Sequence, residues 1–335
     1  MNSQQFIESV ADATAHRDRD DLDLSIASLL LEFIDTESVA VYRLLDDRGV
    51  KRLSRRAAQR RGQKVIGPDD IFTLTALNDV PAWRDCVLQR QVVQYIAASG
   101  QAYCVFPIKS DRDVVGVLEV ERSGNLEPRE THLIDSILRI MKNHLALLDY
   151  GECDTLTGLR NRKTFEASFA KLRRRLQSIS AAPSGEPSWL GIVDIDKFKS
   201  INDTYGHLFG DEVLLLVAGL MKRSYRGADQ LFRFGGEEFV IVLDRASAAG
   251  AEIAFNRLRT MIETYAFPQV GRVTISLGYT QIDPQDAPSP CVERADAALY
   301  YAKHHGRNRV CQYEALIAAG ELVQVQAAQA DVELF

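Results

Sequence analysis

Two adjacent carboxylates, Glu237 and Glu238, follow a glycine pair in the run Arg233-Phe234-Gly235-Gly236-Glu237-Glu238-Phe239. The flanking runs 231–234 and 239–243 are β-prone, and a Gly-Gly pair between such runs signals a tight hairpin, because both turn residues accept φ > 0. Neighbouring acids at a hairpin tip repel each other and add nothing to a core, so they call for a cation, a proton or solvation. An isolated string of this kind favours solvation. A second acidic pair shifts that balance: the buried-type run 189–195 ends on Asp194-Ile195-Asp196. Alternation along a strand puts Asp194 and Asp196 on one face, a hard-oxygen site suited to Mg2+.

The stretch DIDKFKSINDTYGHLFGDEVL, from Asp194 to Leu214, adds Lys199 as a cation able to reach phosphate. It also carries Asn202 and Asp211, separated by a helix-to-helix turn at Gly206 and Gly210. A carboxylate accepts from guanine N1–H and the exocyclic amine, while adenine has no N1–H, so this pair reads as selection of GTP over ATP.

The elements that must position these groups follow from the rest of the chain. Its 335 residues suffice for two domains, and 46% hydrophobic with 26% charged residues is an ordinary globular balance. A formal net charge of −6 argues against a nucleic-acid binder, so phosphate must be met by local cations. Cys86, Cys104, Cys153, Cys291 and Cys311 show no CxxC or Cys/His metal spacing, which suits reduced thiols in a cytoplasm. The amino terminus lacks the apolar core of a signal peptide, and no run approaches a membrane span, so a soluble cytoplasmic protein is expected.

Residues 1–21 are polar with a short helix. Leu22, Ile26, Leu29, Leu30 and Phe33 recur at helical spacing, Val39 to Leu45 reads as a strand, and Ala102 to Ile108 with Val114 to Val120 reads as a hairpin. Trp83, Tyr95 and Tyr103 are either core or pocket lining, with core the commoner role. The basic run Lys51 to Arg61 is either an anion site or a solvated strand face. From Glu127 a helix runs to about Tyr150, with Ile134, Leu138, Met141, Leu145 and Leu148 forming a coiled-coil seam. Such a helix either closes its own domain or pairs with a second chain, and the tight seam favours a homodimer. The segment YCVFPIKSDRDVVGVLEVE with this helix resembles the end of a GAF domain, a family of small-molecule-sensing and dimerising modules. Nothing identifies the ligand or partner of that domain.

In the second half, Asp154 and Thr157 can cap a turn bent at Gly158, a helix follows over 163–177, and Ser178 to Ser188 is a loop. DTLTGLRNR, DIDKFKSINDTYGHLFGD, RFGGEEF, TISLGYT and ADAALYYAKHHGRNRV occur in one order, and through them residues 154–312 resemble the GGDEF domain of diguanylate cyclases. The two resemblances together give the expectation of an α/β (α+β) chain of two domains. A GAF-like antiparallel sheet with helices (22–126) would be joined by a coiled-coil-like helix (127–153) to a palm-like nucleotidyl-cyclase domain, with a tail over 313–335.

The GGDEF resemblance further implies that two GTP become cyclic di-GMP and two pyrophosphates, with Mg2+ as cofactor or Mn2+ in its place, between two domains of a homodimer. Asp194, the Ile195 carbonyl, Glu238 and Glu237 would hold metal, with Glu237 also near the attacking 3′-hydroxyl. Lys199, Lys303 and Arg307 would meet phosphates, the last two from one helix face at i and i+4. Asn202 and Asp211 would read guanine above Phe198 and Leu214, and Gly235 and Gly236 would admit the nucleotide. Arg226 and Asp229, by themselves an ion pair in a loop, resemble the family's inhibitory product site, with Arg257 as a further partner. The other readings are a receptor that binds GTP or cyclic di-GMP without turnover, and a mononucleotide cyclase.

Overall fold

The computed structural model describes residues 3–16, 18–47, 50–63, 65–67, 74–110, 113–124, 126–179 and 186–323. The end of the tail and the middle of the 178–188 loop lie outside the described residues. The chain divides into two units, Met1–Gly151 and Glu152–Phe335.

The first unit begins with α1 (Ser3–Ala15) and α2 (Arg19–Phe33), then β1 (Ser38–Asp47), β2 (Val50–Arg60) and β3 (Leu74–Ala76). It continues with α3 (Pro81–Gln89), β4 (Val93–Ile96), β5 (Ala102–Lys109), β6 (Val114–Arg122) and α4 (Pro128–Glu152). Asp18 caps α2 by accepting from the Asp20 amide at 2.8 Å, and Asp20 and Asp21 in the first turn complement the helix dipole. The strands form an antiparallel sheet in the order β3-β2-β1-β6-β5-β4. The expected hairpin is present as β5 and β6. The arginines of the basic run lie on β2 and the segment just after it, and four of the five pair with acids: Arg52 with Asp47, Arg56 with Asp20, Arg60 with Glu121 and Arg61 with Asp35.

The seam of α4 is turned inward. Ile134, Ile137, Leu138, Met141 and Leu145 are buried in one cluster with Leu22, Ile26 and Leu29 of α2 and Phe106 and Leu118 of the sheet. The homodimer seam expected at Ile134, Leu138, Met141 and Leu145 is therefore corrected: these positions close their own domain, and only Leu148 of the set is partly exposed. The apolar residues left on the surface of α4 are Ile140, Leu147 and Tyr150, at 38%, 71% and 80% exposure.

Trp83, Tyr95 and Tyr103 belong to a packed aromatic layer beneath α3. Tyr42 lies 4.6 Å from Trp83, and Tyr95 stacks on Tyr103 at 5.1 Å. At its centre Glu119 accepts from Trp83 Nε1 at 2.6 Å and the Tyr95 hydroxyl at 2.9 Å. Burial pushes the Glu119 carboxyl up despite these donors, an acidic core position that no sequence signal indicated.

The second unit comprises β7 (Arg160–Asn161), α5 (Arg162–Ile179), β8 (Ser188–Ile195), α6 (Phe198–Tyr205), α7 (His207–Ser224), β9 (Gln230–Gly235) and β10 (Glu238–Leu243). These are followed by α8 (Ala248–Thr264), β11 (Ala266–Phe267), β12 (Gly271–Arg272), β13 (Ile275–Ile282), α9 (Pro288–His304), β14 (Val310–Gln312) and α10 (Tyr313–Ala318). The main sheet runs β14-β13-β8-β10-β9-β7, and β8 is buried at every position. Both faces are covered because both alternating sets of side chains are apolar. Val193, Phe239 and Ile241 pack with residues of α7 and α8, while Leu190, Ile192, Val240 and Val242 pack with residues of α5 and α9. Among the described residues no helix is long and apolar enough to cross a membrane, and none of the five cysteines is in a disulfide.

Candidate active site

Strands β9 and β10 meet in the expected hairpin. Gly235 and Gly236 take φ of 147° and 50°, values that favour glycine, with Glu237 at the tip and Glu238 opening β10. The register of β10 against β8 sets Glu238 directly opposite Asp194. Acids distant in sequence thus become cross-strand neighbours at one sheet end. Asp194 is buried and held by the Lys303 ammonium at 2.6 Å. Burial pushes its carboxyl up, Lys303 opposes this, and Glu238 and Asp196 push it further up. Glu237 is likewise pushed up, first by burial and then by the charge of Asp194. The site therefore concentrates negative charge beyond what its one lysine neutralises.

Asp196 has a different role. Its carboxylate accepts from the Thr274 hydroxyl (2.7 Å), the Ser276 hydroxyl (2.7 Å) and the Asn308 amide (3.0 Å). It ties the ends of β8, β13 and the loop after α9 together. Among the described residues no three acidic, histidine or cysteine side chains are gathered closely enough to hold a metal ion. The donor chemistry still fits a hard divalent cation, because Asp194 and Glu238 are paired carboxylates beside the Ile195 end of β8.

A clamp behind the hairpin was not foreseen. Arg233 donates from Nε and Nη2 to the Gly236 carbonyl at 3.1 and 2.8 Å, and from Nη1 to Asp154 at 3.0 Å. Asp154 also accepts from the Thr157 amide and hydroxyl at 2.8 and 2.7 Å. Burial opposes the charge of Asp154, but Thr157 and Arg233 outweigh it and hold the carboxyl below the usual range. The capped turn at Asp154 was legible in the sequence; its link to Arg233, 79 residues away, was not.

The candidate guanine readers lie at the α6–α7 corner. A Cβ on Gly210 would collide with Asn202 Oδ1, so glycine there lets α7 close on Asn202, with Asp211 the next residue. Phe198 and Leu214 are buried beneath this corner, and Lys199 is exposed on α6. The placement of Lys303 and Arg307 on one helix face is corrected. α9 ends at His304, and Arg307 lies in the following turn with φ 60°, because the Gly306 turn breaks the helical register.

Arg226 and Asp229 form a local turn. The Arg226 amide donates to Asp229 Oδ2 at 2.9 Å, and the Asp244 amide donates to Oδ1 at 3.2 Å. Burial pushes the Asp229 carboxyl up against these bonds. The Arg226 side chain is exposed, while Arg257 donates to the Ser224 carbonyl at 2.6 Å.

A two-faced α/β domain with paired acids at a strand end and hairpin, a lysine beside them and a polar helix corner has the groups that metal-assisted phosphoryl transfer requires. Residues 152–309 match the family described as diguanylate cyclase, GGDEF domain, and this part of the chain is a GGDEF domain. "Diguanylate cyclase A" of Treponema denticola is 37% identical over 217 residues, covering 61% of this chain and 57% of that protein. "Diguanylate cyclase DgcP" of Pseudomonas aeruginosa is 41% identical over 162 residues, covering 47% of this chain and 23% of that protein. The chain thus spans less than two thirds of either relative. A solved structure of the coiled coil and GGDEF domain of DgcB from Caulobacter crescentus, in complex with c-di-GMP, is 29% identical. It covers 56% of this chain and 100% of that one at a TM-score of 0.48.

Proposed function

We propose that the chain condenses two GTP into cyclic di-GMP and two pyrophosphates. The observation that carries this reading is Glu238 set opposite Asp194 beside Lys303, within a GGDEF domain. Asp194, Glu238 and the Ile195 carbonyl would hold Mg2+ or Mn2+, which supplies charge neutralisation at the reacting phosphate. Asn202 and Asp211 would fix guanine, and Lys199, Lys303 and Arg307 would bind phosphate oxygens. Glu237, its carboxyl already pushed up, would stand near the 3′-hydroxyl and accept its proton. Product identification from GTP tests this reading.

Each domain would bind one GTP, so turnover would need two copies facing each other. With the inner seam of α4 committed to the core, the pairing surface would be Ile140, Leu147 and Tyr150, whose spacing of seven and three suits a coiled-coil contact. The first unit would be a GAF-like sensor, a reading supported by its antiparallel sheet with α2 and α4 packed together in one cluster.

Arg226 and Asp229 would bind product. The exposed Arg226 guanidinium would meet guanine or phosphate, while Asp229 is held in place by the turn. Arg226→Ala should raise the cyclic di-GMP concentration for half-inhibition about tenfold or more, the loss of one charge-assisted bond. Inhibition curves that superimpose on the parent's would remove this assignment.

A further inference from the structure

We propose that the first unit carries a binding site for a small polyanion, separate from the aromatic layer under α3. A cleft of about 550 Å3 lies between α4, the end of β5 and the segment joining α3 to β4. Arg90, Lys109, His132, Arg139 and Lys142 line it, and among the described residues Asp135 is the one carboxylate of the lining. The cations come from three separate stretches of sequence, so the fold gathers them; no basic run does. Arg90 pairs with Asp113 at 3.0 Å, outside the lining, and both side chains are more than half exposed. An ion pair so exposed to water contributes little and yields readily to a better partner.

These basic side chains gather in a chain of net charge −6, so basic composition does not explain their grouping. His132, Asp135, Ser136, Arg139 and Lys142 recur at three- and four-residue spacing and form one face of α4, beside the inward seam at Leu138. Pro107 and Leu138, both buried, give the cleft an apolar floor. The volume falls in the range of about 300–1,000 Å3 typical of small-molecule sites. A concave wall of cations over an apolar floor selects a compact molecule with two or more negative charges, phosphate or carboxylate, on a small body. The arginine fork of Arg139 suits either group by paired hydrogen bonds. The site lies on the helix that leads to the GGDEF domain, so its ligand would be an input signal. The binding claim itself does not depend on the cyclase reading.

The test titrates the full chain, without GTP, with pyrophosphate and separately with citrate. It follows heat of binding and amide hydrogen exchange over residues 107–109 and 132–142. Protection there by either anion is expected, with Kd below about 1 mM at low salt. Protection by one anion alone identifies phosphate or polycarboxylate as the ligand chemistry. Lys109→Glu with Arg139→Glu, both exposed positions, should weaken binding at least about tenfold, as should about 0.5 M salt. The milder Arg139→Gln should weaken it in the same direction and serves if the double variant misfolds. No protection of α4 by either anion, or equal protection in the charge-altered chains, overturns the site. Pyrophosphate held only by the catalytic domain would show as heat of binding without that protection, which also overturns it.

Discussion

Replacing Glu238 with alanine is expected to lower cyclic di-GMP formation from GTP by about 10³-fold, the scale of losing a group that organises transition-state charge. Glu238 is exposed at the first position of β10 and contributes no packing, so the loss should be chemical. The charge of Glu238 helps push the Asp194 carboxyl up. A carboxyl raised in the folded state lends stability at low pH that is lost as pH rises through its folded value. Removing Glu238 brings Asp194 back toward its ordinary value, so stability at neutral pH should hold or rise slightly. The pair of measurements is a steady-state rate and a urea midpoint. A variant that keeps more than about a tenth of parent activity, or one that is inactive because it unfolds, would contradict this role.

Arg233→Ala should cost about 10²-fold in kcat, because it frees the hairpin that carries both glutamates. The guanidinium is only 12% exposed and bonds both the Gly236 carbonyl and Asp154. Arg233 acts as a positioning residue, so the split between kinetic constants is diagnostic. GTP affinity, which the proposed function assigns to the α6–α7 corner, should change little while kcat falls. Asp154→Ala should produce part of the same defect, and the double variant should be no worse than Arg233→Ala alone. Additive losses would mean that the two residues act separately. An unchanged kcat would mean that the hairpin holds its shape without the clamp.

The residues that bear charge were legible because their types are costly to place without a purpose. Glu237 and Glu238 after two glycines, and Asp194 at the end of an apolar run, stand out in any reading of the chain. The strand register that brings Glu238 opposite Asp194 was not legible, because register depends on pairing between stretches far apart. Three long-range contacts were hidden for the same reason: Lys303 on Asp194, Arg233 on Asp154, and Asn308 on Asp196.

Periodicity on α4 predicted a helix correctly but misassigned its partner. A seam at Ile134, Leu138, Met141 and Leu145 has the same pattern whether it meets a second chain or α2 of its own domain. Helical spacing likewise joined Lys303 and Arg307 on one face, where Gly306 in fact ends the regularity with φ of 106°. The basic cleft left no mark in the sequence, because its cations come from α4, β5 and the loop after α3.

The most direct test of the central claim is to incubate the purified full chain with GTP and Mg2+ and identify the products by chromatography and mass. Cyclic di-GMP with two pyrophosphates per molecule is the expected result. Cyclic GMP, or no turnover by a chain that binds GTP and has been freed of bound product, would contradict it.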